Sequence, residues 1–301
     1  MKKERIDISS KNPKCLLLGN GINLLFNDPS WKLLITDELK QSHSSLSYED
    51  IKSMPATMQI VVATGDAVNE RMKFLSARLL ESTMSRERIT FLQRILSLPV
   101  DDIMTANYSF ELEAADGMEL SKKKYSSLLQ STFELKAKHR SFRLYQYYLT
   151  DQEKRIWHIH GDLAKPDTML MGHYYYAKHL KALQECIAKT IRRYKICQEK
   201  GEEFKSYSWV DQFLTGEVFI LGLGMYLCES DLWYLLCCKK RNFPDTRTWF
   251  YNYGKTDLAI DSMLKAYNVK VIDEAEMGTY TEYMDFYMDA LRDIDRRLTQ
   301  K

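Results

Sequence analysis

Lys14-Cys15-Leu16-Leu17-Leu18-Gly19-Asn20-Gly21-Ile22-Asn23 decides how the chain is read. An apolar run this short, stopped by Gly-Asn-Gly, suits a strand buried on both faces that enters a tight turn. Ile22–Phe26 then opens a helix. The pattern returns along the chain. Glu217–Leu221 ends in Gly222-Leu223-Gly224 and is followed by a helix through Asp231–Cys238. Asp102–Thr105 leads to Ala106-Asn107, and Arg155–His160 leads to Gly161-Asp162. Arg247–Tyr253 ends at Asn252-Tyr253-Gly254, with Thr256 placed to cap the next helix. Val269–Ile272 is a last strand, and Tyr280–Leu298 a closing helix.

Between the strands, residues 57–97 carry apolar residues at helical spacing, predicting two helices parted near Thr83–Ser85. Asn107–Ala115 reads as helical, and Tyr175–Leu214 as long, charged and helical, with no turn cluster until Lys200-Gly201. Ser141–Thr150 is rich in Tyr and reads either as a strand or as the continuation of a helix. Buried strands alternating with helices predict an α/β fold, a Rossmann-like doubly wound, mostly parallel sheet. No repeat or linker divides residues 1–301, so one domain is expected, with helical insertions near 45–97 and 175–214.

Composition narrows the function classes. The 43 Lys and Arg nearly balance the 41 Asp and Glu, so no global field favours nucleic acid or a membrane surface. Met1–Lys14 lacks the apolar core of a signal peptide, and no run approaches the length of a membrane span. The six cysteines form no Cys-x-x-Cys pair and read as reduced thiols of a cytoplasmic protein.

In an open parallel sheet, ligands bind at the carboxyl ends of the strands. That edge gathers Gly19–Gly21, Thr105–Asn107, His158–Asp162, Gly222–Gly224 and Asn252–Gly254. Glycine turns let backbone approach a phosphate, and a following helix N-terminus favours negative charge. Gly19-x-Gly21 lacks the third glycine of the usual dinucleotide fingerprint. His158 and His160, two apart on a strand, face one side. One reading is a metal pair completed by Asp162 or His173. No third and fourth ligands stand at recognisable spacing, which favours no metal and makes His160 a general base beside Gly161. A lone Asn107 would by default be a helix cap.

Taken in order, these segments resemble the sirtuin superfamily. Gly19-Asn20-Gly21-Ile22-Asn23 is similar to its first glycine-rich turn, Thr105-Ala106-Asn107-Tyr108 to its Thr-x-Asn motif, and His160-Gly161-Asp162 to its catalytic His-Gly segment. Gly222-Leu223-Gly224 with Asp231 resembles the later Gly-x-Ser strand end, with Gly224 in the serine's place. Asn252 resembles the Asn after the next strand. A sirtuin deacylase carries a zinc ribbon after the catalytic His, whereas the interval from Asp162 to Glu217 holds only Cys186 and Cys197. The chain therefore looks most like the sirtuin-like domains of prokaryotic antiphage defence proteins, including those of Thoeris and the defence-associated sirtuins.

That resemblance implies NAD as substrate, no zinc, and hydrolysis to ADP-ribose and nicotinamide that depletes cellular NAD. It makes His160 and Asn107 the catalytic residues. It assigns Gly19, Asn20, Gly21, Ile22, Asn23, Thr105, Tyr108, Asp162, Gly222, Gly224, Asp231 and Asn252 to the NAD cleft, Asp231 binding a ribose hydroxyl or merely starting its helix. An NAD-destroying enzyme needs control, so a homo-oligomer or a partner such as a HerA-type ATPase or phage-sensing subunit is expected. Tyr145–Tyr148, Tyr174–Tyr176 and Tyr280–Met288 are candidate interfaces. A module that senses NAD or ADP-ribose without cleaving it and an ADP-ribosyl transferase are the alternatives.

Overall fold

The computed structural model of the chain describes residues 12–26, 31–54, 56–65, 84–117, 126–127, 142–226 and 229–300. Strands β1 (Lys14–Leu18), β2 (Asp102–Thr105), β3 (Ser126–Ser127), β4 (Gln146–Leu149), β5 (Arg155–His158), β6 (Glu217–Leu221), β7 (Thr248–Tyr251) and β8 (Val269–Ile272) form one sheet. Their order is β3-β4-β5-β2-β1-β6-β7-β8. Pairing is parallel from β5 across to β8 and antiparallel only at the β3-β4-β5 margin. Counted alone in chain order, the parallel strands run 3-2-1-4-5-6, the Rossmann order. The order reverses between β1 and β6, and open sheets of this kind bind ligands outside the carboxyl ends of the strands at such a point.

Alternation within β1 shows why both faces must be covered. Leu16 and Leu18 enter one apolar cluster, Cys15 and Leu17 the other. On the first face lie α1 (Gly21–Leu24), α2 (Trp31–Gln41), α3 (Tyr48–Ile51), α4 (Ala56–Thr64), α5 (Arg86–Ser97), α6 (Glu111–Ala115) and α13 (Tyr283–Thr299). The second is covered by α7 (Phe142–Tyr145), α8 (His173–Lys200), α9 (Trp209–Thr215), α10 (Ser230–Asn242) and α11 (Leu258–Ala266). α12 (Glu274–Met277) follows β8. Truncating a fully buried strand residue such as Leu16 to Ala should cost about 2–5 kcal/mol.

The amino-terminal edge of the sheet is closed by buried charge. Arg155 Nε and Nη2 grip the two carboxylate oxygens of Asp102 at 2.6 and 2.7 Å, and Trp157 Nε1 donates to Asp102 at 2.7 Å. Lys239 donates to the carbonyls of Phe213 and Gly216 at 2.7 and 2.6 Å. Burial pulls its amine down to about 7.

Several expectations change. The ambiguous Ser141–Thr150 resolves into α7 and β4, residues before 142 lying outside the described set. The break expected near Thr83–Ser85 falls at its described end, where the Ser85 hydroxyl accepts from Arg88 N–H and caps α5. The turn read at Lys200-Gly201 does part Tyr175–Leu214 into two helices: α8 stops at Gly201 in the left-handed conformation, and Ser208 caps α9. Asp257, not Thr256, caps α11, accepting from the Ala259 and Ile260 amides. Tyr147, Tyr148 and Tyr176 are buried, which removes them from the candidate interfaces, while Tyr174 and Tyr283 are exposed. No helix among the described residues is long and apolar enough to cross a membrane.

Candidate active site at the carboxyl edge of the sheet

The turns after β1 and β6 interlock. Gly19 N–H donates to the Leu221 carbonyl at 2.9 Å, and Gly21 N–H to the Gly222 carbonyl at 2.8 Å. A Cβ on Gly19 would lie 2.4 Å from the Gly222 carbonyl oxygen and 2.5 Å from Leu223 Cγ. Glycine at 19 is thus needed for this close approach. Because both amides are taken and α1 is a single turn, the expected phosphate cradle cannot use those two N–H groups. The exposed Asn20 side chain, which accepts from Asn23 Nδ2 at 3.3 Å, is what the turn presents to solvent.

Asn107 lies between β1 and β5. Its N–H donates to Thr105 Oγ1 at 3.1 Å, and its Nδ2 donates to the Gly19 carbonyl at 3.3 Å. Its own carbonyl accepts from His158 Nδ1 at 3.0 Å. α6 begins at Glu111 after Phe110, so Asn107 caps no helix. With Nδ2 fixed, Asn107 Oδ1 makes no hydrogen bond among the described residues.

His158 and His160 do not share a side. The strand ends at His158, and Gly161 at φ +90° turns the chain; a Cβ there would meet the Thr168 carbonyl oxygen at 2.2 Å. His158 packs on the first face against Phe110 and Tyr148, and its Nε2 donates to Glu113 Oε1 at 2.7 Å. The Asn107 carbonyl can only accept, so Nδ1 carries a proton, and Nε2 shares a second with the buried Glu113 carboxyl. Burial alone pulls this imidazole down, but the Glu113 charge and hydrogen bond lift it above its ordinary value.

His160 turns toward α8 and α10. Its Nε2 donates to Asp231 Oδ2 at 2.8 Å. Asp231 Oδ1 accepts a hydrogen bond from the Tyr176 hydroxyl, which in turn accepts from Asp231 N–H at 3.1 Å. His179 Nε2 stands 3.6 Å from Asp231 Oδ2, beyond hydrogen-bond distance. Burial lowers the His160 imidazole, yet the Asp231 carboxylate outweighs it and the net shift is upward. Burial would raise Asp231, but His160 first and His179 second hold it well below the carboxylate range. The α10 N-terminus adds to that stabilisation. Nearby Glu229 is pushed up to about 7, by burial and then by the Asp231 charge. His160 Nδ1 makes no hydrogen bond among the described residues.

Asp231 stands in the first turn of α10, the helix-start alternative to a ribose contact. It is fully buried, both oxygens are engaged, and it stands behind His160. Asp162 builds the turn, its Oδ1 accepting from the Ala164 and Lys165 amides at 2.9 and 3.1 Å. Asn23 is drawn into the first face, where its Oδ1 accepts from Arg88, itself paired with Glu111 at 3.1 Å. Ile22 is core. The Tyr108 carbonyl accepts from Leu163 N–H, and Asn252 Nδ2 donates to the Tyr253 carbonyl at 3.2 Å. Gly222 packs on Ile22, and Gly224 is exposed.

Tyr176, His179 and Glu229 belong to the site but escaped the strand-end reading. A signal existed for the first two. Tyr176, His179, Leu183, Cys186, Ile187 and Thr190 form the buried stripe of α8, and two ionisable residues on such a stripe ask for a partner.

No family model matches the chain, and no curated protein matches it.

Proposed function

We propose that the chain hydrolyses the bond between nicotinamide and ribose in NAD, releasing nicotinamide and ADP-ribose. The observation that carries this reading is two polar atoms at the carboxyl ends of neighbouring strands, Asn107 Oδ1 after β2 and His160 Nδ1 after β5. Each is held by bonds at its other polar atom and lacks a partner among the described residues. The order of motifs resembling the sirtuin superfamily supplies the substrate; the absent cysteine pairs favour hydrolysis over deacylation.

Cleavage of this bond leaves positive, oxocarbenium-like character on the ribose, while nicotinamide departs as a neutral molecule. The protein must hold the ribose, aim a water at its anomeric carbon and accept the proton that water loses. Asn107 Oδ1 accepts a hydrogen bond from a ribose hydroxyl or from the water. His160 Nδ1 takes the proton, with Nε2–H kept on Asp231 so that the correct nitrogen bears the lone pair. Asp231 is a positioning residue, itself fixed by Tyr176. The interlocked glycine turns and Asn20 border the pyrophosphate, and Gly222–Gly224 with Asn252 lie toward the adenosine.

Incubating the purified chain with NAD and separating the products tests this. Equal release of nicotinamide and free ADP-ribose is expected. Label from adenine-labelled NAD ending on a macromolecule would replace hydrolysis with transfer. NAD bound but never consumed would reduce the site to a sensor. A role in antiphage defence, a homo-oligomer and a partner ATPase or phage-sensing subunit belong to the same proposal; cellular NAD measured during infection is the check.

A further inference from the structure

Three donors from three elements converge behind the cleft: His160 after β5, His179 on α8 and Asp231 in the first turn of α10. One ligand atom from each lies within 4.8 Å of the others. His160 Nε2 and His179 Nε2 approach the same oxygen, Asp231 Oδ2, at 2.8 and 3.6 Å. The other oxygen is occupied by Tyr176, which fixes the carboxylate plane. The second observation is His179 itself. Its side chain is 1% exposed, and neither ring nitrogen has a hydrogen-bond partner among the described residues. Buried polar atoms are nearly always satisfied, so an imidazole aimed at a carboxylate with both nitrogens unmet calls for an occupant.

We propose that His160, His179 and Asp231 bind a divalent first-row transition-metal ion, best matched by Zn2+. Bonds of about 2.0–2.1 Å in a tetrahedral site set ligand atoms about 3.3 Å apart. The 2.8 Å pair must open and the 3.6 Å pair close to reach that spacing, and the two imidazole nitrogens, within 4.8 Å of each other, must settle to it as well. Two imidazoles and a carboxylate suit zinc, cobalt or iron; magnesium and calcium prefer oxygen donors. The arrangement supplies three protein ligands and leaves the fourth position on the His160 side, where the ring is 14% exposed. The Tyr176 hydroxyl on the far carboxylate oxygen is the outer partner that orients such a ligand. Asp231 and Glu229 make the local field favourable to a cation despite nearby Arg143. The site is unrelated to a cysteine ribbon and rests on donor geometry; because an ion on His160 Nε2 leaves the ring proton on Nδ1, the metal-loaded chain and the chain that uses His160 as a base are alternative states. An ion held there takes the His160 nitrogen that Asp231 now holds.

The test is metal binding to the full chain, read without substrate. Titration with Co2+ should give one ion per chain, with the visible absorption bands of a four- or five-coordinate site, displaced by Zn2+. His179→Gln should weaken binding by more than about 100-fold, since loss of a direct ligand exceeds loss of an outer partner. X-ray absorption on the zinc-loaded wild type decides the matter even if that variant fails to fold. A nitrogen and oxygen shell near about 2.0–2.1 Å with imidazole scattering supports the site. A sulfur shell near about 2.3 Å would put zinc on cysteines and overturn it. Absence of stoichiometric binding, equal binding by His179→Gln, or preference for Mg2+ overturns it as well.

Discussion

The two sides of the β5 carboxyl end hold the same chemistry to different ends. On the first face His158 meets buried Glu113; on the second His160 meets buried Asp231. His158 uses both ring nitrogens and lies among Phe110 and Tyr148, so its proton has nowhere to go. His160 uses one nitrogen and keeps a partly exposed edge. A histidine–carboxylate pair is a structural tie when every valence is closed and a proton device when one is left open. The same contrast separates the edges of the sheet, since Asp102, Arg155 and Trp157 close on one another at the amino edge.

Breaking the open side gives the largest effect. His160→Gln, which can still donate to Asp231, should lower nicotinamide release by about 10²–10⁴-fold in protein shown by circular dichroism to be folded. Equal turnover in that variant would remove His160 from the chemistry. Breaking the closed side should be a stability event. His158→Ala strands the Glu113 carboxylate in the core and should cost about 3–5 kcal/mol in urea denaturation. A variant as stable as wild type would show that the pair is not a tie.

The pH dependences sharpen the contrast. Only neutral His160 can accept a proton, so turnover should rise with pH through a value above the ordinary imidazole range, set by Asp231. Asp231→Asn removes that charge. It should move the limb to lower pH and reduce the plateau by about 10-fold; an unmoved limb would dissociate Asp231 from His160. For His158, the folded-state value is raised, so its contribution to stability is complete below the unfolded value of about 6.5 and is lost as pH climbs through the folded value. Wild type should therefore lose stability relative to Glu113→Gln across that alkaline window, the smallest effect of the four. Parallel melting curves at every pH would contradict the charged pair.

The sheet was legible because burial on both faces turns strands into short apolar runs, as in Cys15–Leu18 and Val218–Leu221. Strand ends then located Asn107 and His160, since polar and glycine residues after such runs must lie at the ligand edge. The α8 contribution was not legible from motifs. Tyr176 and His179 reach the site only because the crossover from β5 to β6 lays one helix across the edge, and that path depends on packing between distant segments. Sequence spacing also misplaced His158 and His160 on one side, because the period-two rule stops where Gly161 ends the strand. For Asp231 the helix start was legible, but nothing local reveals that Tyr176 takes one oxygen and His160 the other.

The interlocked turns bear on which sequences this architecture can explore. A side chain at Gly19 collides with Leu223, which a smaller residue there would relieve, but also with the Gly222 carbonyl, which no substitution removes. Position 19 has no compensating partner, so a saturation library should return glycine alone. At Gly224 an added Cβ meets only the ring of Tyr226, an exposed side chain free to swing away. The serine of the resembled family fits there, so positions 19 and 224, both glycine in this chain, should drift at very different rates among its descendants.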